Sequence, residues 1–145
     1  MRIIRHAAAC LVASRLFIAT PAHADNPAID AMREYMGFSS YEAGIILPQQ
    51  ITKEMFAGIA FIDTRSSDQF AKSTIPGAIN IEWRQVLDRL DDIPKGKPVV
   101  LFCNTGSLSA QAAFALRVAG RDNVLVLQTG IIGWNKEAAY KPESK

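Results

Sequence analysis

Four short, mostly apolar runs mark the later part of this chain: 59–63, 78–81, 98–102 and 124–127. The run Ile59-Ala60-Phe61-Ile62 closes on Asp63, and Val99-Val100-Leu101-Phe102 carries no polar residue at all. None alternates apolar with polar positions as a one-sided sheet would. Unbroken runs of this kind suit parallel strands covered on both faces. Between them lie segments with helical spacing, at 67–72, 83–90, 107–119 and 131–140. In the 107–119 segment, Ala112, Ala113, Leu116 and Ala119 share one side, and Gly120 supplies the stop. Strands alternating with helices predict an α/β domain. The expected architecture is a central, mostly parallel five-stranded sheet flanked by helices on both faces, with Ile45-Ile46-Leu47-Pro48 as a further short strand or extended segment.

Upstream, residues 25–58 read as a lead-in to a domain spanning 59–145. Ile29, Met32 and Met36 predict a helix near 27–36, and Thr52 can cap a helical turn ending at Gly58. The lead-in is expected to cover one edge of the sheet or to dock a partner.

The first 24 residues follow a different pattern. A basic start, Met1-Arg2-Ile3-Ile4-Arg5, leads into an apolar stretch from Ala7 to Thr20 and then Ala22-His23-Ala24. This is the layout of a secretory signal peptide with cleavage after Ala24. Arg15 interrupts the apolar stretch, and the competing assignment is a buried first helix. Export to a periplasm or to the outside is the expectation.

Cleavage changes the charge and the chemistry. The full chain has 16 Lys and Arg against 14 Asp and Glu. Arg2, Arg5 and Arg15 leave with the signal, so the mature net charge is −1 rather than +2. A nearly neutral domain without a basic stripe gives no electrostatic basis for binding nucleic acid or an anionic membrane. Both histidines, His6 and His23, also leave. That excludes a Ser-His-Asp triad, a Cys-His pair and His-ligated zinc. Cys10 goes too, and Cys103 is then the only thiol, unable to form an internal disulfide.

Cys103 follows the 99–102 run directly and opens the segment Cys103-Asn104-Thr105-Gly106-Ser107-Leu108-Ser109 before a helix. In open α/β sheets, ligands bind beyond the carboxyl ends of the strands. A loop of small and hydroxyl residues at a helix N-terminus can aim its backbone N–H groups at one anion. Those donors would stabilise a thiolate, or a persulfide on the same sulfur, without a histidine base. The plainer assignment for Cys103 is a small buried hydrophobe. Its place before Asn-Thr-Gly-Ser, outside the apolar run, argues for the reactive thiol.

Several motifs together resemble the rhodanese-like sulfurtransferase family over about Ile59 to Trp134. They are Phe61-Ile62-Asp63-Thr64-Arg65, Phe70, Ile75-Pro76-Gly77-Ala78-Ile79-Asn80-Ile81, the Cys103–Ser109 loop, and Gly130-Ile131-Ile132-Gly133-Trp134. With the export signal, the loop most resembles small single-domain periplasmic rhodaneses of the phage-shock type. The resemblance implies that Cys103 takes a sulfane sulfur from thiosulfate or a similar donor and passes it to a thiophilic acceptor, cyanide in vitro. No cofactor and no metal are expected, zinc being excluded by the count of ligands. The amides from Asn104, Thr105, Gly106, Ser107, Leu108 and Ser109 would hold the anion, and Asp63 and Arg65 would brace the loop. For that pair a plain structural ion pair is an equal alternative. Phe70 and Trp134 are expected in the core.

Two departures stand out. Thr74 takes the place of a frequent His before Ile-Pro-Gly, and the loop lacks the Arg or Lys that many members carry. Weak thiosulfate affinity follows as an expectation. A cysteine phosphatase needs Arg six residues after its Cys, and here that residue is Ser109. The remaining rivals are a non-catalytic sulfur-carrying or partner-binding module and a redox-sensing thiol.

Overall fold

The computed structural model describes residues 26–41 and 44–143, so the signal peptide expected at 1–24 lies outside the described residues. Five strands form one parallel sheet: β1 (Ile45–Ile46), β2 (Ala60–Asp63), β3 (Ile79–Asn80), β4 (Val99–Phe102) and β5 (Val124–Leu127). Their order is β1-β5-β4-β2-β3. Five helices accompany them: α1 (Pro27–Phe38), α2 (Lys53–Gly58), α3 (Ser67–Lys72), α4 (Ser107–Val118) and α5 (Gly130–Glu137). The expected α/β sheet is therefore present, and β1 joins it from within the lead-in as an edge strand.

The apolar runs divide by residue parity. Val99 and Leu101 point to one face, where they pack with Ile62, Val126 and the Ala112, Ala113 and Leu116 side of α4. Val100 and Phe102 point to the other, against Phe61, Leu127, and the Ile131 and Trp134 side of α5. Both faces are covered, so a polar residue at any β4 position would be buried without water, and all four are apolar. Trp134 is a core residue, as expected, tilted against Phe56 and edge-on to Phe61. Phe70 is only half-buried, and Ala119 lies exposed at the C-cap of α4 rather than on its packed side.

Local signals explain most boundaries. Asn26 Oδ1 accepts from the Ala28 amide ahead of Pro27 at the first helical position. Thr52 Oγ1 accepts from Met55, and Ser66 Oγ from Gln69. Gly120 takes a positive φ after α4.

One expected element is replaced. Residues 83–90 do not form an α-helix; 83–85 and 90–92 are separate 3₁₀ turns joined by irregular turns. Val86 and Ile93 are buried, three residues after Trp83 and Leu90, whereas Leu87 is exposed. The physical reason lies elsewhere in the chain. Arg121 donates to the carbonyls of Leu90 and Ile93, and Asn123 Nδ2 to those of Pro94 and Lys97. Together with the Trp83 amide on the Thr64 carbonyl and Arg89 Nη1 on that of Asn80, the Arg121 bond to Leu90 ties this segment to distant parts of the chain, while the Ile93, Pro94 and Lys97 carbonyls lie beyond it. The last helix also ends earlier than expected, at Glu137, and Tyr140 then packs edge-on against Phe56.

Candidate active site

Parallel strands bring their carboxyl ends to one edge, and the β2–β4 register sets Asp63 beside Phe102. Thr64 fastens the two strand ends, donating to the Phe102 carbonyl from its amide at 2.8 Å and its hydroxyl at 3.0 Å. The residue after Phe102 is Cys103, only 2% exposed. Its loop turns sharply at Gly106, whose φ of 106° is a conformation that residues with a Cβ rarely adopt. That turn points the Gly106 N–H at Cys103 Sγ, 3.2 Å away.

Ser109, fully buried in the first turn of α4, places its Oγ 3.7 Å from Sγ and 2.9 Å from the Gly106 carbonyl. A hydroxyl has one proton, so Ser109 donates either to the sulfur or to the loop's own carbonyl. Burial pushes the Cys103 thiol up. The amides of Ser109 and Thr105, the Ser109 hydroxyl and the Gly106 amide outweigh it, and the thiol is held below its ordinary range. Within the expected cradle, Thr105, Gly106 and Ser109 are the residues that reach the sulfur. Ser107 and Leu108 are exposed on the rim, and Asn104 faces a different partner.

That partner is Arg65. Its guanidinium grips Asp63 through Nε at 2.9 Å and Nη2 at 2.6 Å, and Nη2 also donates to the Ser73 carbonyl at 2.6 Å. Nη1 reaches Asn104 Oδ1 at 3.4 Å. Asp63 is fully buried, and its Oδ2 accepts a further bond from Thr74 Oγ1 at 2.9 Å. Asn80 Nδ2 donates to the carbonyls of both Asp63 and Arg65. The ion pair is thus connected to the loop residue next to Cys103. Thr74, where a His is frequent, caps the carboxylate with a neutral hydroxyl.

A second support was not legible beforehand. The N-terminus of α5 abuts the loop from behind: Ile131 N–H donates to the Cys103 carbonyl at 2.8 Å and Ile132 N–H to that of Asn104 at 3.2 Å. This approach requires Gly130, because a Cβ there would stand 2.4 Å from the Cys103 carbonyl oxygen and 2.6 Å from Asn104 C and O. Thr129, just before it, holds a left-handed φ of 65°. The sequence signal was Gly130 itself, the first residue of the Gly-x-x-x-Trp motif.

Residues 47–137 match the family of rhodanese-like domains. The chain belongs to that family. A sulfurtransferase of Allochromatium vinosum is 34% identical over 76 residues, which make up 52% of this chain and 71% of that protein. The crystal structure of a rhodanese-related protein from Thermoplasma volcanium superposes with a TM-score of 0.59 at 21% identity, covering 65% of this chain and 92% of the other. A Rhodopseudomonas palustris structure, described as a possible tyrosine phosphatase, has a TM-score of 0.60 at 17% identity and covers 86% and 99% of the two chains. At those identities the two structures speak for the fold alone. Ser109 stands where a phosphatase loop needs its Arg, so the rhodanese-like chain lacks the bidentate phosphate grip. The sulfurtransferase relative supports sulfur transfer as the general chemistry.

Proposed function

We propose that this rhodanese-like chain is an exported sulfurtransferase that carries a sulfane sulfur as a persulfide on Cys103. The observation that carries the reading is the Gly106 N–H 3.2 Å from Sγ, backed by the Thr105 and Ser109 donors. A helix start that stabilises a thiolate also stabilises a perthiolate in nearly the same place. Cys103 attacks the outer sulfur of a donor such as thiosulfate, and sulfite leaves with the electron pair of the broken S–S bond. A thiophilic acceptor, cyanide in vitro, then takes the outer sulfur and returns the thiolate. No proton has to be removed by a histidine at either step, because thiolate and cyanide attack as anions and sulfite and the Cys103 thiolate leave as anions.

Asp63 and Arg65 act in this scheme as positioning residues, reaching the loop through Asn104. The signal-like segment with its Ala22-His23-Ala24 end supports a periplasmic location, after cleavage behind Ala24. The test is thiocyanate formation from thiosulfate and cyanide, comparing the mature chain with Cys103→Ser. The proposal expects turnover that the substitution reduces to background. Equal rates from both would refute it.

A further inference from the structure

A cavity of about 700 Å³ lies at the end of the sheet opposite Cys103, between α1, the end of α4 and the start of β5. Its origin is the shortness of β1. That strand pairs with Val126 and Leu127, so Val124 at the start of β5 lies before the paired residues. Arg117 takes over there. The Val124 carbonyl accepts from its Nε at 3.1 Å and its Nη2 at 2.6 Å, and Nη2 also donates to the Gly44 carbonyl at 2.9 Å. Nη1 donates to Tyr35 Oη at 3.3 Å, and the Tyr35 ring meets Phe114 edge-on. These contacts seat α1 beside α4 without burying any α1 residue.

The surroundings favour a positive charge. Both α1 and α4 end at this cavity, and a helix C-terminus carries partial negative charge. Glu34, near the end of α1, and Asp122, just past the end of α4, line it from its two walls. Carboxylates beside helix C-termini are ordinarily unfavourable. Neither has an ion-pair partner among the described residues, and Lys95 and Lys97 border smaller clefts beyond Asp122 without bridging to it. Among the described residues, the one cation on the lining is Arg117, tied to the protein's own oxygens by four hydrogen bonds. Tyr35 and Phe38 supply aromatic surface, which also attracts cations, and Val118 supplies apolar surface.

We propose that this cavity binds an organic ammonium ion, an amine carried on a small apolar or aromatic body. Its charge answers the two carboxylates and the two helix ends, and its body rests on Tyr35, Phe38 and Val118. Without a cation, Glu34 and Asp122 weaken the helix ends beside them; with one, they become its partners. The site is separate from Cys103, and its occupation involves no covalent step.

Binding is followed on the mature chain by NMR, through the amide shifts of residues along the cavity. Three probes of similar shape are compared: 2-phenylethylamine, neutral 2-phenylethanol and anionic phenylacetate. An exposed ion pair favours binding by up to about fivefold, so two of them should make the amine about tenfold tighter than the alcohol at low salt, with phenylacetate weakest. The preference should shrink at high salt. Glu34→Gln and Asp122→Asn, both at exposed positions, should each weaken the amine about threefold, leave the alcohol unchanged and not lower the thermal midpoint. Phenylacetate binding as tightly as the amine, shifts centred away from α1 and the end of α4, or a preference unmoved by the double variant would overturn the assignment. So would the lack of any saturable shift at millimolar amine. A midpoint lowered in both single variants would assign the carboxylates to structure instead.

Discussion

Gly130→Ala isolates the contact by which α5 supports the reactive loop. The added Cβ would sit 2.4 Å from the Cys103 carbonyl oxygen, a distance real contacts do not show, and its neighbours there are backbone atoms that cannot rotate away. The start of α5 must therefore withdraw, and the Ile131 and Ile132 hydrogen bonds to the loop carbonyls are lost or stretched. Two such bonds contribute about 1 kcal/mol each. Forcing alanine to the φ of 59° costs roughly 1–2 kcal/mol more. The sum is about 3–4 kcal/mol, which lowers the urea midpoint by roughly 1–3 M for a domain of this size. Two controls separate the causes. Gly77 has a φ of 82° but nothing near its missing Cβ, so Gly77→Ala should cost only the conformational part, roughly 1–2 kcal/mol. Gly96 has neither feature, and Gly96→Ala should fall within about 0.5 kcal/mol of the parent. Urea unfolding followed by tryptophan fluorescence reads all three, with sulfur loading of Cys103 measured on the same samples. A Gly130→Ala protein as stable as Gly96→Ala, loading sulfur at the parent rate, would refute the role given to α5.

The remaining predictions concern the sulfur and its supports. Ser109→Ala removes one donor and should move the midpoint of the pH dependence of Cys103 alkylation upward, with slower sulfur loading at neutral pH; an unmoved midpoint would show that the amides alone set it. Because the folded-state thiol is held below its unfolded value of about 8.5, its ionisation adds stability. That gain is complete above the unfolded value and is lost as pH falls through the lowered folded one. Cys103→Ser should flatten this part of the stability curve, as urea midpoints across the range would show. Removing one partner of the buried pair, as in Arg65→Met, should cost about 3–5 kcal/mol, and Asp63→Leu combined with Arg65→Met should cost less than either single change; denaturant unfolding of the three variants decides it. Thr105→Arg puts a cation on the uncharged rim and should lower the KM for thiosulfate about tenfold at low salt, an advantage that disappears at high ionic strength.

The sheet was readable because each buried strand is a continuous apolar run, and a run has no register to misjudge. Helix positions were readable from local spacing, and at Thr52 from capping as well; Asn26 and Ser66 cap α1 and α3 in the same way, a signal the reading had not used. The 83–90 segment was misread because it is tied down by partners from other parts of the chain, Thr64 at the Trp83 amide and Arg121 at the Leu90 carbonyl. The Cys103 loop was legible from composition and position together. The division of labour inside it was not. Nothing local distinguishes Ser107 from Ser109, yet helical geometry leaves the first exposed and turns the second toward the sulfur. The links from Arg65 to Asn104 and from α5 to the loop carbonyls likewise join segments distant in sequence, and only the fold brings them together.

The central claim is that Cys103 accepts and holds a sulfur atom. The most direct test is the intact mass of the mature chain after incubation with thiosulfate, beside Cys103→Ser. The account predicts the gain of one sulfur atom, about 32 Da, by the parent alone, removed by cyanide. A parent chain that stays at its original mass, while its thiol still reacts readily with an alkylating agent, would contradict thiosulfate as donor; the same outcome with inorganic polysulfide would contradict the persulfide itself.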